Sequence, residues 1–190
     1  MKNLAVIAFL GLSTLAFSQN TTKAQEGKTQ DNVLSVNPDQ AVQEAKKKAG
    51  EEKAKLPKPY DPKADAQADL NKLIAQAQKE GKNIMIQAGG NWCGWCLRFN
   101  NFVQTTAELK EIVDKNYLYY HLNFSPDNEN PKVFSKYINI KEKQGYPFFI
   151  VLDKNGKKIH VLKDSEVLEE GKGYSTEKVK AFFNEWAPKS

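Results

Sequence analysis

The chain contains two cysteines, Cys93 and Cys96, which are separated by Gly94 and Trp95. If these residues begin a helix, their i, i+3 spacing puts both sulfur atoms on one face, close enough to form a disulfide. The first sulfur would lie at the helix N-terminus, where unpaired N–H groups and the helix dipole stabilise a thiolate. The second would lie one turn deeper and be better shielded. This asymmetry is typical of an attacking thiol, Cys93, followed by a resolving thiol, Cys96.

The same two cysteines permit other chemistry. A structural disulfide across so short a loop would stabilise the fold by only about 2 kcal/mol in the chain-entropy model. A zinc site would need His121 and His160 as its remaining ligands, and their spacing matches no short-range zinc pattern. Covalent haem attachment would need a histidine directly after the second cysteine, where the chain has Leu97. The pair therefore favours redox exchange, with no metal and no organic cofactor.

The composition predicts one folded domain preceded by a polar extension. The chain has 190 residues, of which 40% are hydrophobic and 11% aromatic, and this excludes a wholly disordered protein. Tyr60 is the only aromatic residue between Phe17 and Trp92, so the core-forming residues lie in the second half. The formal net charge of +5 comes from scattered lysines, whereas nucleic-acid-binding surfaces usually cluster their basic residues. The charge therefore indicates no nucleic-acid partner.

Residues 1–18 have the pattern of a secretory signal peptide. A positively charged start is followed by an apolar run from Leu4 to Phe17 and by small residues before a cleavage point at Gln19. The run is shorter than the roughly 20 apolar residues that span a bilayer, so an uncleaved membrane anchor is the weaker interpretation. Cleavage predicts an exported protein, periplasmic or extracellular, with no stable insertion in the membrane.

Residues 19–63 are polar and hold nine lysines against seven acidic residues. The segment Asn37–Gln40 can cap a helix over Ala41–Lys55, with proline at its start. Such a helix has almost no apolar stripe, because Val42 has no large apolar partner before Leu56. We therefore expect a solvated tether, partly helical or disordered, that ends at a proline-rich stiffener.

From residue 64 to residue 190, hydrophobic periodicity predicts a single domain of alternating helices and strands. The predicted elements are a helix ending at Gly81, a strand Asn83–Ala88, a helix from the cysteines to Lys115, a strand Tyr117–Phe124, a helix around Val133–Ile138, strands Pro147–Leu152 and Lys157–Lys163 joined by a hairpin turn, and a helix capped by Ser175. A strand–helix–strand unit followed by a helix and a hairpin predicts an α/β fold in which one central mixed β-sheet has helices on both faces.

The cysteine motif and a later proline resemble the thioredoxin-like superfamily. Trp92-Cys93-Gly94-Trp95-Cys96 lies at a predicted strand–helix junction, and Gly145-Tyr146-Pro147 opens a strand about fifty residues later. The pattern is most similar to exported bacterial thioredoxin-like proteins and to the C-terminal domain of the thiol:disulfide interchange protein DsbD. The resemblance covers roughly residues 65–188 and says nothing about residues 19–63.

The resemblance implies a thioredoxin-like fold and a role for each residue of the motif. Cys93 is the nucleophile, Cys96 is the resolving thiol, and Pro147 is a cis-proline that faces them. The bond before that proline would leave the backbone N–H and C=O of Tyr146 free to pair with an extended substrate segment. Trp92, which precedes the first cysteine, joins Tyr146 in the expected substrate-binding set.

Two positions depart from the pattern of thioredoxins. Those proteins carry a buried aspartate six residues before the first cysteine, which helps to deprotonate the second; here the residue is Gln87, which can hydrogen-bond but cannot take up a proton. Trp95 replaces the proline that is common between the cysteines, and it adds an apolar face beside the sulfur atoms. We expect Trp95 to act either as a substrate-docking aromatic residue or as a lid over the pair.

The sequence therefore predicts an exported thiol–disulfide oxidoreductase that exchanges its cysteine pair with protein thiols and disulfides, as a reductase rather than an oxidase. A membrane electron donor of the DsbD type is a candidate partner by the same resemblance. The alternative is a non-enzymatic module on the same fold that binds Cu(I) or a partner protein, since soft thiolates hold Cu(I). Copper carriers usually recruit a third ligand, and the sequence places neither His121 nor His160 to serve as one.

Overall fold

The computed structural model describes residues 38–139 and 144–189. The predicted signal peptide, residues 1–18, and the first part of the predicted tether, residues 19–37, lie outside the described residues. In the part of the chain that the structure describes, no helix is long and apolar enough to cross a membrane.

Helices and one main sheet make up most of the described residues. The helices are α1 (Pro38–Lys55), α2 (Ala66–Glu80), α3 (Gly94–Thr105), α4 (Ala107–Asn116), α5 (Pro131–Tyr137) and α6 (Thr176–Glu185). The strands of the main sheet are β1 (Asn83–Gly89), β2 (Tyr117–Asn123), β3 (Phe148–Leu152) and β4 (Lys158–Leu162). A short 3₁₀ helix (Ser165–Leu168) and a ribbon of two strands, β5 (Glu169–Glu170) and β6 (Gly173–Tyr174), lie between β4 and α6.

The main sheet confirms the predicted mixed α/β architecture. Its strand order is β2-β1-β3-β4. Strand β1 is parallel to β2, which it reaches through α3 and α4, and antiparallel to β3. All seven residues of β1 are buried, as a central strand between two helical layers requires.

Alternation along β1 divides the core into two layers. Ile84 and Ile86 belong to the layer that includes residues of α2 and α5, whereas Met85 belongs to the layer that includes residues of α3, α4 and α6. Because successive side chains of a strand point to opposite faces, Gln87 shares the face of Met85 and lies under α3. The strand thus delivers Gln87 to the helix that begins at the cysteines.

The helix predicted from the cysteines to Lys115 is two helices, α3 and α4. They meet at Thr106, whose backbone is extended (φ −95°, ψ 104°). The last buried residue of α3 is Val103 and the first of α4 is Leu109, six residues apart. In one continuous helix this spacing would turn Leu109 well away from the face of Val103, since neighbours on a face are three or four residues apart. The break lets both helices bury their apolar faces.

No element was expected between the second strand of the hairpin and the last helix. The 3₁₀ helix and the β5–β6 ribbon occupy this stretch, and strands of two residues leave no periodicity to recognise. The ribbon turns at Gly171, whose positive φ of 61° suits glycine. It carries Tyr174, whose hydroxyl donates to the carbonyl oxygen of Trp95 at 3.3 Å.

The segment after α1 packs on the domain. Tyr60 is 2% exposed and lies in one apolar cluster with Cys93, Cys96 and Leu97, here called the cysteine cluster. The Asn91 side chain holds both backbone groups of Tyr60: it accepts from the N–H at 3.2 Å and donates to the carbonyl oxygen at 2.8 Å. The predicted domain start at residue 64 thus falls inside the packed region, because the single aromatic residue of the preceding segment is buried beside the disulfide.

Replacing Tyr60 by alanine measures how firmly this segment belongs to the domain. We expect Tyr60→Ala to lower the free energy of unfolding by about 3 kcal/mol, since it removes a buried aromatic ring. The control is Val42→Ala on the exposed side of α1, where Val42 is 52% exposed and the change stays within about 0.5 kcal/mol. Denaturant titration measures both values, and equally small effects would contradict the packing of Tyr60.

Candidate active site

Cys93 and Cys96 form a disulfide at the N-terminus of α3. Strand β1 ends at Gly89, and the N–H of Cys93 donates to the carbonyl oxygen of Gly90 at 3.0 Å, which turns the chain into the helix. Cys93 is the N-cap residue, and its Sγ accepts a hydrogen bond from the N–H of Cys96 at 3.1 Å. A helix N-terminus stabilises negative charge, so the reduced form of Cys93 lies where a thiolate is favoured.

The two sulfur-bearing residues differ in their access to solvent. Cys93 is 6% exposed, whereas Cys96 is fully buried. Cys96 is covered from the strand side by Gly89, where an added β-carbon would lie 2.5 Å from the Cys96 sulfur. The absence of a side chain at Gly89 is therefore what lets the strand end reach the disulfide.

Tyr146 and Pro147 lie beside the more accessible cysteine. The Tyr146–Pro147 peptide bond is cis, as the resemblance implies. The carbonyl oxygen of Tyr146 is 3.7 Å from Sγ of Cys93. The backbone before β3 thus lies next to the sulfur that a partner protein can reach.

Trp92 and Tyr146, two of the expected substrate-binding residues, lie together at the rim of the site. Their rings meet edge to face with centroids 5.3 Å apart. Trp92 is 47% exposed, yet its orientation is fixed because its indole N–H donates to the carbonyl oxygen of Phe124 at 2.6 Å. Phe124 in turn stacks on Tyr146 at 5.7 Å. The rim therefore presents an ordered aromatic surface next to Cys93.

Trp95 contacts a different group of residues. Its ring meets Tyr174 edge to face at 5.5 Å, and the Arg98 guanidinium lies 5.2 Å from the ring centroid. Arg98 is held by two hydrogen bonds of 2.9 Å to the Glu52 carboxylate of α1. Trp95 thus links the cysteine cluster to the β5–β6 ribbon, an arrangement that suits the lid interpretation.

Gln87 ties β1 to the first turn of α3 beneath the disulfide. It is fully buried, its amide N–H donates to the carbonyl oxygen of Cys96 at 2.9 Å, and its amide oxygen accepts from the Tyr119 hydroxyl at 2.7 Å. Burial raises the pKa of Tyr119 well above its usual value, so this hydroxyl stays protonated. The position under the second cysteine is therefore occupied by neutral hydrogen-bonding groups.

Sequence reasoning missed three polar neighbours of Gln87: Tyr60, Tyr119 and His121. Parallel pairing sets Gln87 opposite His121, so alternation along β2 brings Tyr119 and His121 to the α3 face. His121 pairs with the Asn100 side chain at 3.0 Å, and burial lowers its pKa to about 4. Pairing β1 with β2 in parallel would have predicted Tyr119 and His121 as neighbours of Gln87. For Tyr60 the sequence offered only one indication, that it is an isolated aromatic residue in a polar segment.

The fold separates the two histidines that a zinc site would need. His121 is on β2 and His160 on β4, at opposite edges of the four-stranded sheet. Three strand steps of about 4.8 Å separate β2 from β4, and the strand registers set His160 level with Tyr119, not with His121, so the two histidines lie at least roughly 14 Å apart. His160 stacks on Trp186 at 4.1 Å. Within residues 38–139 and 144–189, no cluster of three metal-binding side chains occurs.

A mixed sheet whose central strand leads into a helix capped by a Cys-x-x-Cys disulfide is typical of a thioredoxin-like fold. A family model described as thioredoxin-like matches residues 65–154. The chain has a thioredoxin-like fold, and the matched part, which includes Cys93, Cys96 and Pro147, is similar to the thioredoxin-like family.

Solved structures are also similar to this chain. A disulphide isomerase from Xylella fastidiosa Temecula1 is 22% identical with a TM-score of 0.59, over 68% of this chain and 97% of that chain. A DsbH oxidoreductase is 16% identical with a TM-score of 0.45, over 60% of this chain and 78% of that chain. A redox protein from Chlamydomonas reinhardtii is 18% identical with a TM-score of 0.42, over 65% of this chain and 35% of that chain. No curated protein matches the sequence.

The close approach of Gly89 to the disulfide predicts different effects for two glycine substitutions. We expect Gly89→Ala to destabilise the oxidised protein by about 1–3 kcal/mol, because its β-carbon would overlap the Cys96 sulfur. Gly94→Ala is the matched control, since no atom lies within 4 Å of its added β-carbon; we expect a gain of about 0.4–1 kcal/mol. Equal stabilities of the two variants in denaturant titration would contradict this account of the strand end.

Proposed function

We propose that the protein is an exported reductase of protein disulfides in which Cys93 is the nucleophile and Cys96 the resolving thiol. The observation that carries the assignment of roles is the difference in access between the two residues. Cys93 is partly reachable at the helix N-terminus and Cys96 is fully buried. A partner disulfide can therefore meet only Cys93 without rearrangement of the site.

The proposed reaction has two exchange steps. The Cys93 thiolate, stabilised by the N–H of Cys96 and the N-terminus of α3, attacks one sulfur of a partner disulfide and displaces the other as a thiolate. The Cys96 thiolate then attacks Sγ of Cys93, which releases the second partner sulfur as a thiolate and closes the Cys93–Cys96 disulfide. Two electrons pass to the partner, and the two protons lost by the cysteines are taken up by its sulfur atoms or by solvent.

The rim beside Cys93 suits an extended polypeptide. In our proposal the backbone of Tyr146, whose carbonyl oxygen lies 3.7 Å from the Cys93 sulfur, pairs with the substrate main chain as an added strand would. The exposed ring of Trp92 contacts an apolar side chain of the same segment, since large aromatic residues dominate such contacts. Trp95 shields the sulfur pair from the ribbon side.

The cellular setting of the proposal comes from the sequence. The pattern of residues 1–18 supports export to the periplasm or beyond the cell. The similarity of the motif to the C-terminal domain of DsbD supports the reductive direction and a membrane electron donor of the DsbD type. Protein thiols and disulfides are then the partners on both sides of the exchange.

Single cysteine replacements test the two roles. We expect Cys93→Ser to abolish the reduction of insulin disulfides, because no accessible thiolate remains. Cys96→Ser, in contrast, should accumulate mixed disulfides, which non-reducing electrophoresis and mass spectrometry detect. The opposite trapping pattern would overturn the roles. A Cu(I) titration of the reduced protein run beside the assay separates this function from the copper-binding alternative, which needs tight metal binding without insulin reduction.

The equilibrium reduction potential of the cysteine pair tests the direction. For a reductase we expect a value closer to that of thioredoxin, about −270 mV, than to that of a strong oxidant, about −120 mV. Equilibration with glutathione buffers of known ratio, followed by alkylation of free thiols, gives the value. A potential near the oxidant would reverse the proposed flow of electrons.

A further inference from the structure

The hydroxyl of Tyr60 and the buried sulfur of the disulfide both lie close to the same point beside Gly89. The point that a Gly89 β-carbon would occupy is 2.5 Å from the Cys96 sulfur and 3.0 Å from the Tyr60 hydroxyl oxygen. The two atoms therefore approach the same bare strand end. Tyr60 is anchored there by both of its backbone hydrogen bonds to Asn91, so its ring does not depend on the hydroxyl for its position.

This hydroxyl is buried without a hydrogen-bond partner among the described residues. Gln87 is its polar neighbour, and a hydrogen bond from the Gln87 amide would favour the ionised form of Tyr60 and lower its pKa, against the larger effect of burial. The neutral hydroxyl nevertheless has no hydrogen bond of normal geometry to Gln87, whose amide is directed to the Cys96 carbonyl oxygen and the Tyr119 hydroxyl. A buried, unpaired hydroxyl is unfavourable and calls for an explanation. In the oxidised protein its neighbour is a disulfide sulfur, which is a weak acceptor. In the reduced protein the same sulfur can become a thiolate, which accepts strongly.

We propose that in the reduced protein the Tyr60 hydroxyl donates a hydrogen bond to the Cys96 sulfur and thereby stabilises the thiolate that resolves the mixed disulfide. The inference rests on the proposed function, for which it names one more catalytic residue. Tyr60 acts as a donor and not as a base, since burial raises its pKa far above the ordinary value of a tyrosine. It keeps its proton throughout the reaction.

The groups around Tyr60 bring no unbalanced charge that would stabilise the Cys96 thiolate in its place. Titratable or charged side chains on the surrounding elements include Tyr119 and His121 of β2, Tyr174 of β6, Tyr146 before β3, Arg98 of α3 and its partner Glu52 of α1. Lys53 of α1 also points to this region, where it donates to the carbonyl oxygen of Trp92. His121 is neutral near pH 7 because burial lowers its pKa to about 4. The Arg98 charge is matched by the Glu52 carboxylate at 2.9 Å.

In the resolving step no covalent bond of the Tyr60 hydroxyl forms or breaks. The Cys96 thiol first loses its proton to solvent or to the thiolate that the partner released in the first exchange. The resulting thiolate, held by the Tyr60 hydroxyl, attacks Sγ of Cys93. The bond between Cys93 and the partner sulfur breaks, and the electron pair leaves with the partner thiolate. Tyr60 thus raises the fraction of Cys96 that is ionised at a given pH.

The test compares Tyr60→Phe with Tyr137→Phe. Tyr137 carries the other buried tyrosine hydroxyl without a partner among the described residues, and it packs in the α2–α5 layer, not in the cysteine cluster. Stopped-flow measurement of mixed-disulfide release from about pH 6 to pH 11 spans the ordinary thiol pKa of about 8.5 and a value one unit above it. For Tyr60→Phe we expect mixed-disulfide release to be about tenfold slower than in the wild type at pH 7 and equally fast at the highest pH. The midpoint of its rate–pH profile should lie roughly one pH unit above that of the wild type. Tyr137→Phe should match the wild type.

Two outcomes would overturn the inference. Identical pH profiles for Tyr60→Phe and wild type would show that the hydroxyl does not reach the thiolate. A rate reduced equally at every pH would assign Tyr60 to packing alone. Loss of folding is not expected to interfere, because the hydroxyl is unpaired in the oxidised protein and its removal should leave the oxidised melting temperature unchanged or raised.

A direct titration separates this inference from the proposed function. In a Cys93→Ser background, the ultraviolet absorbance of the thiolate reports the pKa of Cys96 without any exchange reaction. We expect that pKa to rise by roughly one unit when Tyr60→Phe is added, and an unchanged value would overturn the inference. Failure of the wild type to reduce protein disulfides would overturn the proposed function instead, whatever this titration gives.

Discussion

The contact between the end of β1 and the disulfide is the constraint on which the rest of the site depends. Because Gly89 has no side chain, the strand reaches the Cys96 sulfur, and a β-carbon there would lie only 2.5 Å from it. The same approach brings Gln87 under the first turn of α3, where it hydrogen-bonds to the Cys96 carbonyl oxygen. It also leaves room for the Tyr60 hydroxyl, which would lie 3.0 Å from that β-carbon. The absence of a side chain at Gly89 therefore allows the Cys96 sulfur, the Gln87 amide and the Tyr60 hydroxyl to lie close together.

Burial of one cysteine and partial exposure of the other turns a symmetric pair into an ordered sequence of reactions. Cys93 gains the helix N-terminus and the N–H of Cys96, which favour its thiolate where a partner can reach it. Cys96 gains protection from competing partners, but burial in apolar surroundings disfavours its thiolate. The site must therefore supply polar groups to the buried sulfur, and the polar groups near it are neutral amides and phenols.

Hydrophobic periodicity was sufficient for the central strands and most helices, because these elements bury one or both faces over five residues or more. Periodicity did not reveal the break at Thr106, because the apolar spacing is regular within each of the two helices. The break is marked only by the six-residue gap from Val103 to Leu109. The cysteine pair and Pro147 are local motifs and could be recognised directly. Tyr60 could not be placed, because its burial depends on a contact with Asn91, 31 residues away.

A neutral environment around the buried cysteine has a consequence for the response of the site to pH. A carboxylate under the sulfur would itself titrate and would carry a buried charge, which is costly when it is unpaired. Gln87 does not titrate, burial holds the hydroxyls of Tyr60 and Tyr119 in their protonated form, and His121 is already neutral near pH 7. The hydrogen-bonding groups under the disulfide therefore keep the same charge across the physiological range. The cysteine thiols are then the groups of the site that change charge there, so the pH dependence of exchange reports their ionisation alone.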